Sequence, residues 1–303
     1  MLEWIFSESF LMNVIAYAIP IIFAAYASLI SNKAGISAIN IEGAMSVAAV
    51  TGALVSHYAN SWVVGLACAM TAGILMMLIL ALAALKLRAD SFLSGIALNT
   101  FATGACLLIV KGVLDGRTDS STAPSVLVPS VHIPLLSDIP VVGKAVFGQN
   151  LLFYVMLLAL ILLIVLLNGT RLGVQIRTAG YHPEASESVG VSVKRTRVIA
   201  LIICGAMAGL GGAYLSMANL GYFSAGMVSG RGFIGIAAEA MGAGMPVKTT
   251  LFAFLFGAVD YFDVGGQTVL SFPYELLNTL PYLMTLLALT LYAAAQKKSG
   301  RSN

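Results

Sequence analysis

Apolar stretches, most of them about twenty residues long, recur from one end of the chain to the other, and this recurrence limits the fold more than any single motif. A helix needs roughly 20 apolar residues to cross about 30 Å of hydrocarbon, and a water-soluble globule could not hide so many such windows. With 59% of 303 residues hydrophobic and only 10% charged, the chain reads as an all-α, polytopic membrane protein with about nine hydrophobic segments. Candidate spans are residues 11–30, 38–56, 62–85, 92–112, 150–168, 197–218, 230–243, 249–265 and 276–296; the seventh is too short to cross alone.

The basic residues orient these spans, because Lys and Arg concentrate in short cytoplasmic loops. Lys33 follows the first span, Lys86 and Arg88 the third, and Arg171 through Arg197 lie between the fifth and sixth. Lys248 follows the seventh, and QKKSGRSN closes the chain. All of them fall on the cytoplasmic side if the N-terminus is outside and the C-terminus inside. Lys111, Arg117 and Lys144 sit in or beside a proline-bearing outer loop, residues 113–149. The expected organisation is one membrane domain, residues 1–303: a first half 1–112, the outer loop, a cytoplasmic loop 169–197 and a second half 198–296. The N-terminus lacks the basic n-region of a cleaved signal peptide, so the first span is expected to stay in the membrane. A formal charge of +3 gives no reason to expect nucleic acid as a partner. Cys68, Cys106 and Cys204 read as buried small hydrophobes, and His57 and His132 as solvated residues near outer loops.

INIEGAMSVAAVTGAL (39–54) is echoed by GRGFIGIAAEAMGAG (230–244), and GIALNTFATG (95–104) shares Leu-Asn-Thr with YELLNTLPYL (274–283). On the expected topology the first pair runs in opposite directions, the pattern of an inverted repeat whose broken helices meet at a translocation path. Small residues also let helices pack closely, and GAMAGLGGAYL (205–215) reads as such a packing helix. A charge at membrane depth costs several kcal/mol, from about 2.5 upward, unless it is paired or faces water. Glu42, Arg231 and Glu239 therefore need a reason to be there, either beside the path or in pairing between helices. Asp260 and Asp263 read as the wet outer end of the eighth span. Asn40, Asn99 and Asn278 suit a neutral polyhydroxyl or heterocyclic solute, or equally serve as interhelical hydrogen-bond glue. The expected path is lined by Asn40, Glu42, Asn99, Arg231, Phe233, Glu239 and Asn278.

The stretch GYHPEASESVGVSVKR (180–195) is polar in a greasy chain. Proline is tolerated in a first helical turn and acids there complement the helix dipole, so a short helix is expected over 183–188, ended by Gly190. Such a helix on the cytoplasmic face is either a docking element for a soluble partner or a solvated connector.

RTAGYHPEASESVGVSVKRTR followed by CGAMAGLGGAYL resembles the inner loop of ABC importer permeases of the ribose-permease-like branch, written G-x-N-P-x-A-A-x-x-x-G-I. GISAINIEGAMSVAAVTGA and GRGFIGIAAEAMG resemble two further segments of that branch, and the Glu42-Gly43 pair and GRGF are most similar to permeases for nucleosides and simple sugars. Two departures stand out: His182 replaces the usual polar residue such as asparagine, and Asn40-Ile41-Glu42 lacks a glycine before the glutamate. The resemblance implies a permease subunit with no ATPase site and no cofactor of its own, ATP and Mg being held by a partner ATPase or a fused tandem ATPase. It implies a second permease subunit, forming a heterodimer, and an extracytoplasmic solute-binding lipoprotein of the basic-membrane-protein type. It also implies that Tyr181, His182, Pro183, Glu184, Ala185, Ser188 and Gly190 couple to the ATPase. The competing class is an ion-coupled secondary transporter, which would use the intramembrane acids for protons or sodium. A membrane enzyme is disfavoured, because no nucleophile-base pair or metal spacing is present on the inner or intramembrane segments.

Overall fold

The computed structural model describes residues 8–130, 148–269 and 290. Ten α-helices occupy these residues. They are α1 (Glu8–Lys33), α2 (Ile41–Ala59), α3 (Trp62–Ala81), α4 (Ser91–Val113), α5 (Leu151–Gly169), α6 (Arg171–Tyr181), α7 (Pro183–Ser188), α8 (Val193–Tyr214), α9 (Arg231–Met241) and α10 (Pro246–Val269). α3 and α8 each run on into a π-helical turn, Leu82–Lys86 and Leu215–Asn219. Among the described residues, five helical stretches are long and apolar enough to cross a membrane: Phe10–Lys33, Trp62–Lys86, Ser91–Val113, Leu151–Gly169 and Val193–Asn219. Each of the first eight expected segments coincides with a helix, and α9 has the 11 residues of a half-span, about 16 Å at 1.5 Å per residue. The ninth expected segment lies outside the described residues. α6 was not anticipated: it is an amphipathic helix inside the expected inner loop, with Ile176 and Ala179 on its buried face.

α1 and α8 form the centre, packed on each other and on α2, α3, α9 and α10. Lipid tails are as apolar as leucine, so this packing rests on close van der Waals approach rather than on burial from water. α8 achieves it with the anticipated small-residue ridge. A Cβ on Gly205 would stand 2.6 Å from Ile74 Cα, and one on Gly209 2.7 Å from Met70 Cα. α3 and α8 thus touch backbone to backbone. α4 is peripheral: it packs mainly on α2 and leaves Phe101 and Leu108 exposed.

The two ends of the bundle differ in charge. One end gathers the C-terminus of α1, the α3–α4 turn, α6, α7, the start of α8 and the α9–α10 turn. There Lys33 Nζ donates to Tyr181 Oη (3.1 Å), and Arg197 donates to the carbonyls of Ala34 (3.1 Å) and Ala179 (3.2 Å). Lys86, Arg88, Arg177, Lys194, Arg195 and Lys248 line two clefts at this same end. The opposite end is closed by residues 119–130 strapped over α8's exit. Ser120 and Phe223 exchange hydrogen bonds (2.8 Å each), Ser125 Oγ donates to Ser216 O (2.7 Å), and His57 Nδ1 bonds Pro124 O (2.9 Å).

Candidate functional site

α2 and α9 begin in the interior of the bundle and run away from each other. α2 leaves an extended stretch after Ile36 and ends at His57 beside the strap, while α9 leaves the strap end and finishes at Glu239 beside Asn32. Their N-termini meet. Between them and α4 lies a cavity of about 470 Å³, lined by the polar Glu42, Ser46, Asn99, Thr100 and Thr103 and the apolar Phe223, Met227 and Phe233. Among the described residues no lysine or arginine lines it.

A helix begins with unsatisfied N–H donors, which at membrane depth need a protein group or a wet cavity to take them. The Glu42 carboxylate takes two from α9: Gly230 N–H donates to Oε1 and Gly232 N–H to Oε2, both at 2.8 Å. The chain of the first half thereby caps a helix of the second. Gly230 has φ +80, the left-handed backbone that glycine adopts without strain, and a Cβ on Gly232 would stand 2.7 Å from the Glu42 backbone. Gly232 is required by this contact, and Gly230 is favoured by its left-handed backbone. Asn99 does the matching service for α2, accepting from Gly43 N–H (2.8 Å) and donating to Ile39 O (3.0 Å), where the chain is not yet helical. Interhelical hydrogen bonds in membranes are worth about 0.6–1.7 kcal/mol. Asn99→Leu is therefore expected to destabilise the chain by about 1–3 kcal/mol, read as an earlier unfolding transition of the purified protein in detergent.

Of the residues expected to line the path, Glu42, Asn99 and Phe233 meet at this cavity; Phe233 is 47% exposed there. Asn40 is fully buried on the other side of the extended stretch, donating to Met76 O (3.3 Å), and it serves as glue. Arg231 points to α10: Nη2 and Nε lie 2.9 and 3.0 Å from Asp260 Oδ2, and the guanidinium stacks 5.4 Å from the Tyr17 ring centroid. This corrects the expectation of a wet end at Asp260 and Asp263. Asp260 is 15% exposed and ion-paired, and Asp263 is 7% exposed, because α10 packs on α1 and α9 there. Glu239 lies at the far end of α9, accepting from Asn32 Nδ2 at 2.6 Å. Asn278 lies outside the described residues. Sequence reasoning missed Thr100, Thr103 and Phe223, whose types are common in any helix and carry no spacing signal.

At the basic end, α7 spans Pro183–Ser188, with His182 as its N-cap position and Glu184 in its first turn. Gly190, at φ +85, donates its N–H to Glu187 O (3.0 Å) and turns the chain towards α8. Tyr181, His182, Glu184, Ala185 and Ser188 are exposed, Pro183 is half-buried, and Ser186 anchors the turn by donating to His182 O (3.0 Å). α7 thus displays one short polar face, held to the bundle by α6.

Residues 10–289 match the protein family described as branched-chain amino acid transport system / permease component. The guanosine ABC transporter permease protein NupQ of Bacillus subtilis is 34% identical over 302 residues, covering 94% of this chain and 93% of that protein. The nucleoside ABC transporter permease protein NupC of Lactococcus lactis is 31% identical, covering 95% and 94%. The putative glucose ABC transporter permease protein TsgC13 of Haloferax volcanii is 28% identical, covering 98% and 94%. No solved structure matches significantly.

Proposed function

Because this chain belongs to the family of branched-chain amino acid transport system permease components, we propose that it forms the membrane path of an ATP-driven importer and passes a nucleoside. It is a multi-pass helical membrane subunit and not itself an enzyme. The observation that carries the solute class is the cavity between α2, α4 and the N-terminus of α9. Hydroxyl and amide groups suit a ribose, and the half-exposed Phe233 offers a face to a base. The positive end of α9 would be the natural seat for an anion, but the Glu42 carboxylate already occupies it. With no cation among the described residues of the lining, the cavity favours a neutral nucleoside over its phosphate esters. The nucleoside and guanosine permeases among the relatives support the same choice over the glucose one.

The cavity also spreads across α4, where Thr100 and Gly104 belong equally to an outward groove. A polar path open to lipid would leak free energy at every hydroxyl, so a second permease subunit closes this face. The basic end lies in the cytoplasm, with the N-terminus outside, and α7 docks an ATPase that holds ATP and Mg; a lipoprotein delivers solute at the strap end. The chain is organised as nine segments in two inverted halves, first half 1–112 and second half 198–296, a reading that the opposed directions of α2 and α9 support. The test is uptake of labelled guanosine, uridine and glucose in cells carrying the complete transporter, with the ATPase active or disabled. Nucleoside uptake that stops with the ATPase and is not inhibited by nucleoside monophosphates is the expected result. Stacking of a base on an aromatic ring is worth about 1–3 kcal/mol, so Phe233→Ala is expected to raise KM for nucleoside roughly tenfold or more at unchanged surface amount. Glucose uptake, or an unchanged KM, would overturn the assignment.

A further inference from the structure

Two basic pairs more than a hundred positions apart in sequence converge on a single cleft. Lys86 and Arg88 leave the end of α3, Lys194 and Arg195 open α8, and all four line one groove of about 490 Å³ with Leu78, Ala81, Leu82, Leu85 and Val198. None of the four side chains makes a hydrogen bond or an ion pair among the described residues. The nearest acid in sequence, Asp90, is engaged in capping α4, accepting from Leu93 N–H at 2.8 Å. Two other cations at this end are held within the fold, Lys33 by Tyr181 and Arg197 by two carbonyls. A preference for cytoplasmic loops explains why basic residues stand at this end. It does not explain why four unpaired ones share a cleft, where their mutual repulsion is a cost.

The shape of the cleft accounts for them. α3 and α8 are in backbone contact deeper in the bundle, through Gly205 and Gly209, and the π-helical turn Leu82–Lys86 reshapes α3 where the groove forms. Its floor is apolar, and the apolar surface continues into the membrane along exposed Leu75, Ile79 and Leu82 of α3 and Ile202 of α8. We propose that this cleft binds an anionic phospholipid, its phosphate among Lys86, Arg88, Lys194 and Arg195 and an acyl chain along Leu78, Leu82 and Val198. A soluble protein partner could meet the charges but not the greasy surface below them. Four cations suit a headgroup with two phosphodiesters better than one with a single phosphate. The α3–α4 turn leads directly into α4, which carries Asn99 and Thr100 of the cavity, so the lipid would also steady one wall of the path.

The experiment uses the complete transporter purified in detergent, with melting and direct lipid binding by native mass spectrometry as readouts. The probes are phosphatidylglycerol, cardiolipin, phosphatidylcholine, and inorganic phosphate or glycerol phosphate without acyl chains. Anionic lipids are expected to bind and to raise the melting temperature, whereas phosphatidylcholine and the water-soluble phosphates are not. The paired variants Lys86→Gln/Arg88→Gln and Lys194→Gln/Arg195→Gln each leave the other pair in place to orient the chain, and each is expected to weaken anionic lipid binding roughly ten- to thirtyfold. Equal binding of phosphatidylcholine, or an unchanged anionic preference in both variants, overturns the site. Stabilisation by inorganic phosphate alone would make it a site for a soluble anion, and variants that lose the ATPase but keep the lipid preference would assign the cations to that interface; either outcome refutes the lipid.

Discussion

Glu42→Ala is expected to abolish uptake while the chain still inserts and still co-purifies with its ATPase. Each bond from Gly230 and Gly232 to the Glu42 carboxylate has a charged acceptor, and such bonds contribute about 1.5–3 kcal/mol. Their loss leaves two N–H donors without the carboxylate, and α9 loses the group that fixes its start. The damage falls on the cavity, because Phe233 stands one residue beyond the second bond. Glu42→Gln keeps one acceptor but turns an NH₂ towards the other donor, so it should recover only part of the activity. Gly232→Ala attacks the same contact from the other side, placing a Cβ 2.7 Å from the Glu42 backbone and Oε2. Since both changes break one joint, the double variant should be little worse than either single one. Uptake, surface amount and ATPase co-purification are measured together on the three single variants and the double one. Wild-type uptake by Glu42→Ala, or full additivity with Gly232→Ala, would show that the joint is not part of the path.

The same contact marks where sequence reasoning stops. Glu42 visibly needed a reason to stand at membrane depth, either beside the path or in pairing between helices. Its partners are two peptide N–H groups, and backbone donors carry no letter in a sequence. What could have found them is the GRG run itself, since a glycine pair at a helix start implies a close approach. Arg231 found Asp260, 29 residues on, because α9 and α10 pack against each other. That fact is tertiary, so Asp260 alone looked like a wet helix end. The apolar segments were legible, because a span is a one-dimensional property of twenty neighbours. α7 was legible for a related reason: proline at its first position and Gly190 after it are local signals. α6 was hidden because glycines and arginines dilute its apolar face, although Leu172, Ile176 and Ala179 repeat at helical spacing. Asn40 and Asn99 are the same residue type at similar depth, yet one serves Met76 and the other borders the cavity. Only the three-dimensional register of α2 against α3 and α4 separates them.

Gly180→Val is expected to leave ATPase docking intact and to cut nucleoside uptake per ATP hydrolysed by more than tenfold. α7 reaches the bundle through the last turn of α6, and there Gly180 lies directly against the Lys33 carbonyl; an added Cβ would also stand 3.0 Å from Gly35 N. Three further contacts close on the same spot: Arg197 on Ala34 and on Ala179, and Lys33 on Tyr181. One residue back, Asn32 holds Glu239, and Glu239 lies in the last turn of the helix whose other end is held by Glu42. A displacement of α7 thus meets an unbroken series of close contacts from the basic end to the cavity, with backbone against backbone at its stiffest point. Valine forces α6 and α1 apart at that point, and overpacking of this kind costs about 1–3 kcal/mol or more. The exposed face of α7 is untouched. Tyr181→Phe is the control, since it removes one exposed hydrogen bond worth about 0.5–1.5 kcal/mol and leaves the backbone contact in place. Its uptake should fall by no more than a few fold. If Gly180→Val couples hydrolysis to uptake as the wild type does, the motion reaches the cavity by another route, and α8, which follows α7 directly, becomes the element that carries it.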